Sequence, residues 1–238
     1  MWLRSGLLSA VILGSVAFGA WAQEAAPPAA QERVELVKQS FAASKAALKQ
    51  YEWVETVAMS IGGEEKSRKQ SRCYYGAEGK LLKTPIAGDD KDEKKKRGLR
   101  GKAIEGKKAE IEASLKGAVG LIHQYVPLDP AKIEAAKAAG NLSTSTPAAD
   151  GSIRVTIKSY LKPGDEVVIE VDGAKNTLKG VSIASFVEEE KAKNPVSAKV
   201  AYATLPDGTT YAGKEVLDVA AQDLKIDIEN SGYKKLAP

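Results

Sequence analysis

Tyr51-Glu52-Trp53-Val54-Glu55-Thr56-Val57-Ala58-Met59-Ser60-Ile61, followed by Gly62-Gly63, is where the chain changes its period. Across residues 32–50, Val34, Val37, Phe41 and Leu48 recur at helical spacing among Lys, Gln, Ser and Glu. That is the pattern of an amphipathic helix. In the quoted stretch the period falls to two. Trp53, Val57, Met59 and Ile61 share one face, with Glu55 the single charge among them. A strand with one apolar face needs neighbours, and the double glycine supplies the turn toward one.

Working outward, residues 66–75 continue as a second, far more polar strand. Gly76-Ala77-Glu78-Gly79 turns into a short third strand, 80–84, which Pro85 should stop. The meander is then interrupted over 88–150. A charge block from Gly88 to Gly98 comes first, then a helix with Ile104, Ile111, Leu115, Val119, Ile122 and Val126 along one stripe. A short helix over 131–139 is well marked, with Asp129 to cap it, Pro130 at its first turn and Gly140 to stop it. Residues 142–151 read as a polar loop.

From Ser152 the period of two returns. Ile153, Val155 and Ile157 alternate with Arg154, Thr156 and Lys158, and Val167, Ile169 and Val171 line one face of 166–171. Strands over 177–187, 196–205, 210–219 and 224–230 follow, with a charged hinge at 188–195. Alternation of this kind puts one face on a core and the other in water, as antiparallel sheets do. The fold class is therefore α+β: one antiparallel sheet of about eight or nine strands, wide enough to curl toward a barrel. An N-terminal helix precedes it, and helices packed on its concave face would bury the apolar side; the resemblance given below makes this an open half-barrel with the inserted helices as its lid.

The first residues carry an export signal. Met1-Trp2-Leu3-Arg4 precedes an uncharged run to Gly19, and Ala20-Trp21-Ala22 fits small-x-small cleavage before Gln23. The run is short and glycine-spotted for a membrane span. The expected division is a signal peptide at 1–22, a flexible tether at 23–31 and one half-barrel domain at 32–238, located in the periplasm and not membrane-spanning after cleavage. Arg4 is the one charge of the leader, so 34 basic and 31 acidic residues remain. Such a balance does not call for nucleic acid as a partner. The single cysteine, Cys73, forbids an internal disulfide and leaves a buried thiol or an intermolecular bond open.

Catalytic chemistry has few carriers here. His123 is the only histidine and lies beside the apolar stripe of the inserted helix. No His- or Cys-rich ligand spacing, calcium loop, serine elbow, phosphate loop or dinucleotide fingerprint occurs, so no metal or cofactor is expected and the chain reads as a non-enzyme. The apolar face of the first strand, Trp53, Val57, Met59 and Ile61, is either ordinary core or the wall of an acyl-chain cavity. In the second case Ile153, Val155, Ile157, Val167 and Ile169 extend the lining. Two basic groups are candidate interaction surfaces: Lys66, Arg68 and Arg72 on an edge or weakly covered strand, and Lys94, Lys95, Lys96 and Arg97 in the charge block.

The order of elements resembles the periplasmic lipoprotein-carrier (LolA-like) superfamily. The resemblance rests on the helix 32–50, the Tyr51-Glu-Trp-Val-Glu-Thr strand, the helices within 103–140 and the strands from Ser152 to Asn230. More locally, Tyr51-Glu-Trp-Val-Glu-Thr, Glu65-Lys-Ser-Arg-Lys-Gln with Cys73-Tyr-Tyr-Gly76, Leu121-Ile-His-Gln-Tyr125 and Ser231-Gly-Tyr233 look like a group of exported bacterial proteins without an assigned activity. The superfamily resemblance implies an unclosed barrel under lid helices and a lipid or lipoprotein acyl chain as ligand. The alternative is an envelope protein-interaction or regulatory module on the same fold, with no lipid.

Overall fold

Residues 39–88, 99–126, 128–189 and 192–236 are described in a computed structural model of the chain. The expected leader, the tether, the start of the first helix, and Lys94, Lys95, Lys96 and Arg97 lie outside these residues.

Helix α1 covers residues 39–47 of the described chain and tightens into a 3-10 turn at Leu48–Gln50. Tyr51 is extended, and β1 (Tyr51–Ile61) begins there. β2 (Glu64–Tyr75) and β3 (Leu81–Gly88) complete a meander. The insertion follows as α2 (Leu99–Ile122) and α3 (Pro130–Ala138). Then come β4 (Leu142–Thr144), β5 (Ser152–Lys158), β6 (Glu166–Asp172), β7 (Thr177–Glu189), β8 (Ala192–Thr204), β9 (Thr210–Val219) and β10 (Leu224–Lys235). All ten strands form one antiparallel sheet in the order β3-β2-β1-β10-β9-β8-β7-β6-β5-β4. Strand β1 pairs with β10, and the end strands β3 and β4 do not pair with each other, so the half-barrel is open.

The signals on α3 act as their chemistry requires. The Asp129 carboxylate accepts from the Ala131 amide at 2.9 Å, and Gly140, at φ +72°, closes the helix. Five readings of the sequence need correction. The polar segment after α3 holds strand β4, because Leu142–Thr144 finds an edge on β5. Pro85 does not stop β3: Ser71 faces Pro85 at a register shift, and a proline without N–H is tolerated at an edge-strand irregularity. The charged hinge is mostly strand, with Phe186 facing Pro195 and Glu188 facing Lys193 in a long hairpin whose charges sit near its tip.

The last strand is longer than the expected 224–230. Strand β10 runs past Asn230 to Lys235 through a bulge, where Glu52 faces Lys234 but Val54 faces Ser231. Gly232, at φ +65°, takes the strained position of that bulge. The extra residue shifts alternation by one, so Tyr233 joins the inward face that Asn230 and Ile228 occupy.

Strand β2 is an edge only in part. Lys69–Tyr75 are paired with β3, while among the described residues Glu64–Arg68 are paired with β1 alone. A bulge opposite Met59/Ser60 takes Lys66 out of the alternation shared by Arg68 and Arg72.

Candidate functional site

The inward face divides into two chemically different halves. Over β5–β10 it is aliphatic: Ile157, Val167, Ile169, Ile183, Val196, Val200, Leu217 and Ile226 are buried in one cluster. The same cluster contains Leu115, Ala118, Val119 and Ile122 of α2 and Ile133 and Ala136 of α3. The helix pair therefore covers this face, as lid helices would, and fills it in this structure.

A polar latch holds the turn between the two helices. Tyr125, fully buried, donates from its hydroxyl to Asp165 Oδ2 at 2.6 Å and lies 2.7 Å from Ser185 Oγ. Asp165 is itself 2% exposed and accepts backbone N–H bonds from Tyr160, Leu161 and Lys162 at 2.7–2.9 Å. Burial and the bond to Asp165 push the Tyr125 phenol well above its usual range, so it remains a donor. The Tyr160 ring lies 5.7 Å from that of Tyr125, and its hydroxyl accepts from the Asp129 amide at the cap of α3. One carboxylate thus organises the loop before β6 and, through two tyrosines, both ends of the α2–α3 connection.

The other half, over β1–β3, β10 and the adjoining part of β9, is aromatic and charged. Trp53 and Tyr233 stack at 5.4 Å with an 11° interplanar angle, and Tyr75 and Tyr211 pack against them at 5.7 and 4.3 Å. The Trp53 indole donates to Asn230 Oδ1 at 3.0 Å, and Asn230 donates to the Ala212 carbonyl at 3.0 Å. Glu55 forms an ion pair with Lys83 at 2.5 Å, both largely buried. Glu215, 7% exposed, faces Ile228 on β10, so it and Glu55 flank the same strand from β9 and β1. Burial first, then the nearby Glu55 carboxylate, push Glu215 up to about 7, with Lys83 opposing the rise. The four rings, Asn230, Glu55 and Glu215, with Leu48 and Leu81, line a cavity of about 20 Å³, enough for about one water.

The predicted lining residues separate between these halves. Trp53 lines the aromatic cavity. Met59 lies in the aliphatic cluster, with Val57 and Ile61 half-buried against it. Val155, Ile157, Val167 and Ile169 are buried among the residues that α2 and α3 cover, while Ile153 is half-buried near Gly173. The basic residues of β2 are engaged locally. Arg68 forms a 2.5 Å pair with Glu65, Lys66 pairs with Glu64, and Arg72 lies 3.9 Å from Glu52. His123 is exposed in the turn after α2. Cys73 is fully buried, and burial pushes its thiol up to about 11. Among the described residues no three His, Cys, Asp or Glu side chains gather as metal ligands.

Sequence reasoning missed Glu215, Tyr233, Lys83 and the latch. The signal for Tyr233 was present in Ser231-Gly232-Tyr233, since a glycine within a strand pattern marks a bulge. Glu215 sits in Gly213-Lys214-Glu215-Val216, and nothing local shows which of its charges turns inward.

No family profile and no curated protein matches the chain. Its structure is similar in layout to a domain described as an outer membrane lipoprotein-sorting protein from Vibrio parahaemolyticus, at 8% identity and TM-score 0.35, over 88% of this chain and 91% of that one. A LolA superfamily protein from Nitrosomonas europaea aligns at 8% identity and TM-score 0.35, over 85% and 94%. A protein from Desulfovibrio piger, of a family defined only by a domain of unknown function, aligns at 10% identity and TM-score 0.31, over 84% and 93%. The chain itself is an open antiparallel half-barrel with two helices inserted after the third strand.

Proposed function

We propose that the chain is an exported, non-catalytic binding protein of carrier type, acting in the periplasm, whose ligand is a lipid or a lipoprotein acyl chain. The observation that supports this reading is the helical cover. An aliphatic sheet face spanning β5–β10 is closed by two helices that lie outside the sheet in one insertion, fastened at their connection by Tyr125 and Asp165. A ligand-sized apolar pocket occupies roughly 300–1,000 Å³. The cavity beside Trp53 is far smaller, so a chain would enter by displacing α2 and α3 and replacing their side chains on the sheet. The free energy for entry would come from apolar burial, about 25 cal/mol per Å², less the burial surrendered by the helices.

The test is uptake of a fluorescent acyl probe by the exported protein and by Tyr125→Phe, together with mass spectrometry for lipid retained on purification from a periplasm. Loosening the latch should raise the rate of uptake, and a charged residue at Met59 should abolish binding while circular dichroism stays native. Absence of retained lipid and of probe uptake in both proteins would refute the reading and favour the protein-interaction module.

A further inference from the structure

We propose that the cavity between Glu215 and Glu55 is a second binding site, selective for the head group of a small primary amine, with Trp53, Tyr75 and Tyr233 as its aromatic walls. It meets the aliphatic cluster under α2 and α3 at Ala212 and Ile228 alone, and does not depend on the lipid reading.

Two buried carboxylates line this end of the sheet, and Lys83 is the cation that both experience. Lys83 pairs with Glu55. Glu215 is 93% buried by its 7% exposure, lines the cavity, and forms no hydrogen bond or ion pair among the described residues. A buried carboxyl without a partner is costly to ionise, and the group that would complete it is a donor carrying positive charge.

The surroundings select the kind of donor. Rings from β1, β2 and β10 border the cavity, and aromatic faces attract a desolvated ammonium. The free space, about 20 Å³, suits a group close to water in size. An R–NH3+ head meets that limit and offers three N–H donors, whereas a quaternary ammonium is too large and donates nothing. Leu48 and Leu81 add apolar lining against which a short alkyl tail would pack.

Protonation sets when the site can hold a cation. Glu215 titrates near 7, with Glu55 of β1 and Lys83 of β3 acting on it, Tyr202 of β8 and Tyr233 of β10 close enough to feel its charge, and Tyr75 of β2 sharing the cavity lining. Its ionised fraction therefore rises from about a tenth at pH 6 to about nine tenths at pH 8.

The experiment titrates the exported protein with n-butylammonium chloride at constant ionic strength, following Trp53 fluorescence and thermal shift. Tetramethylammonium and sodium chloride serve as controls. The expected result is a saturable response to butylammonium alone, about tenfold weaker at pH 6 than at pH 8, and at least tenfold weaker in Glu215→Gln. That variant keeps the shape of the neutral carboxyl, and its native circular dichroism establishes that it folds. An equal response to the controls, an unchanged affinity in Glu215→Gln, or no saturable response at pH 8 would each overturn the proposal. Failure here leaves acyl-probe uptake unaffected, and the reverse also holds, because neither Glu215 nor the aromatic walls belong to the aliphatic cluster that the helices cover.

Discussion

Glu215→Gln should make the protein more stable, and only toward alkaline pH. In the unfolded chain the carboxyl returns to its ordinary 4.5, while in the folded protein burial raises it to about 7. The folded state therefore holds the proton more tightly. Its stability is fully present below pH 4.5, falls as pH rises toward 7, and is level above that. A separation of about 2.5 units at 1.36 kcal/mol each amounts to about 3 kcal/mol lost at alkaline pH. Glutamine keeps the shape and remains neutral throughout, so it removes this loss.

The assay is urea unfolding of wild type and variant at pH 5 and pH 8, read by Trp53 fluorescence. The stability difference in favour of the variant should grow by about 2 to 3 kcal/mol between the two pH values. Comparing differences cancels every other titrating group common to both proteins. Parallel pH profiles would refute the reasoning, since they would mean that the Glu215 carboxyl ionises in the folded protein as readily as in the unfolded chain.

Two further outcomes follow from the helical cover. Asp165→Ala removes the acceptor of three backbone amides and the Tyr125 hydroxyl, and should destabilise the fold by about 3 kcal/mol or more, with faster amide hydrogen exchange over 115–122. Gly117 and Gly120 interrupt α2 where an added Cβ would meet open space, so each Gly→Ala should raise stability by about 1 kcal/mol and slow exchange in the same segment. Destabilisation by either alanine in a thermal melt would contradict the packing described for that helix face.

How much was legible depended on whether the determinant was local. The period change at Tyr51 placed β1, and clean alternation placed β5, β6 and β10, because a half-buried strand writes its two faces into consecutive residues. The cap of α3 was legible for the same reason: Asp129, Pro130 and Gly140 act on backbone groups within a few residues of themselves. The short strand β4 escaped notice because three residues carry no period and acquire their partner only from the edge of β5.

The candidate site was legible in Trp53 and little else. Glu55 read as one charge on an apolar face, and its partner, Lys83, arrives from β3 across β2. Glu215 comes from β9 and Tyr233 from β10, and the pairing of β1 with β10 brings residues about 180 positions apart into one cluster.

The sequence by itself determined the antiparallel class, the N-terminal helix, the inserted helix pair and the apolar faces of β5, β6 and β10, all of which follow from spacing within a single element. Tertiary structure alone decided that α2 and α3 fill that face, that Asp165 fastens them, and that Glu215, unpaired among the described residues, shares a ring-lined cavity with Glu55 of a buried ion pair. The physical reason is that hydrophobic periodicity is a property of each strand, whereas burial of a charge depends on which strands become neighbours and where a one-residue bulge turns their side chains.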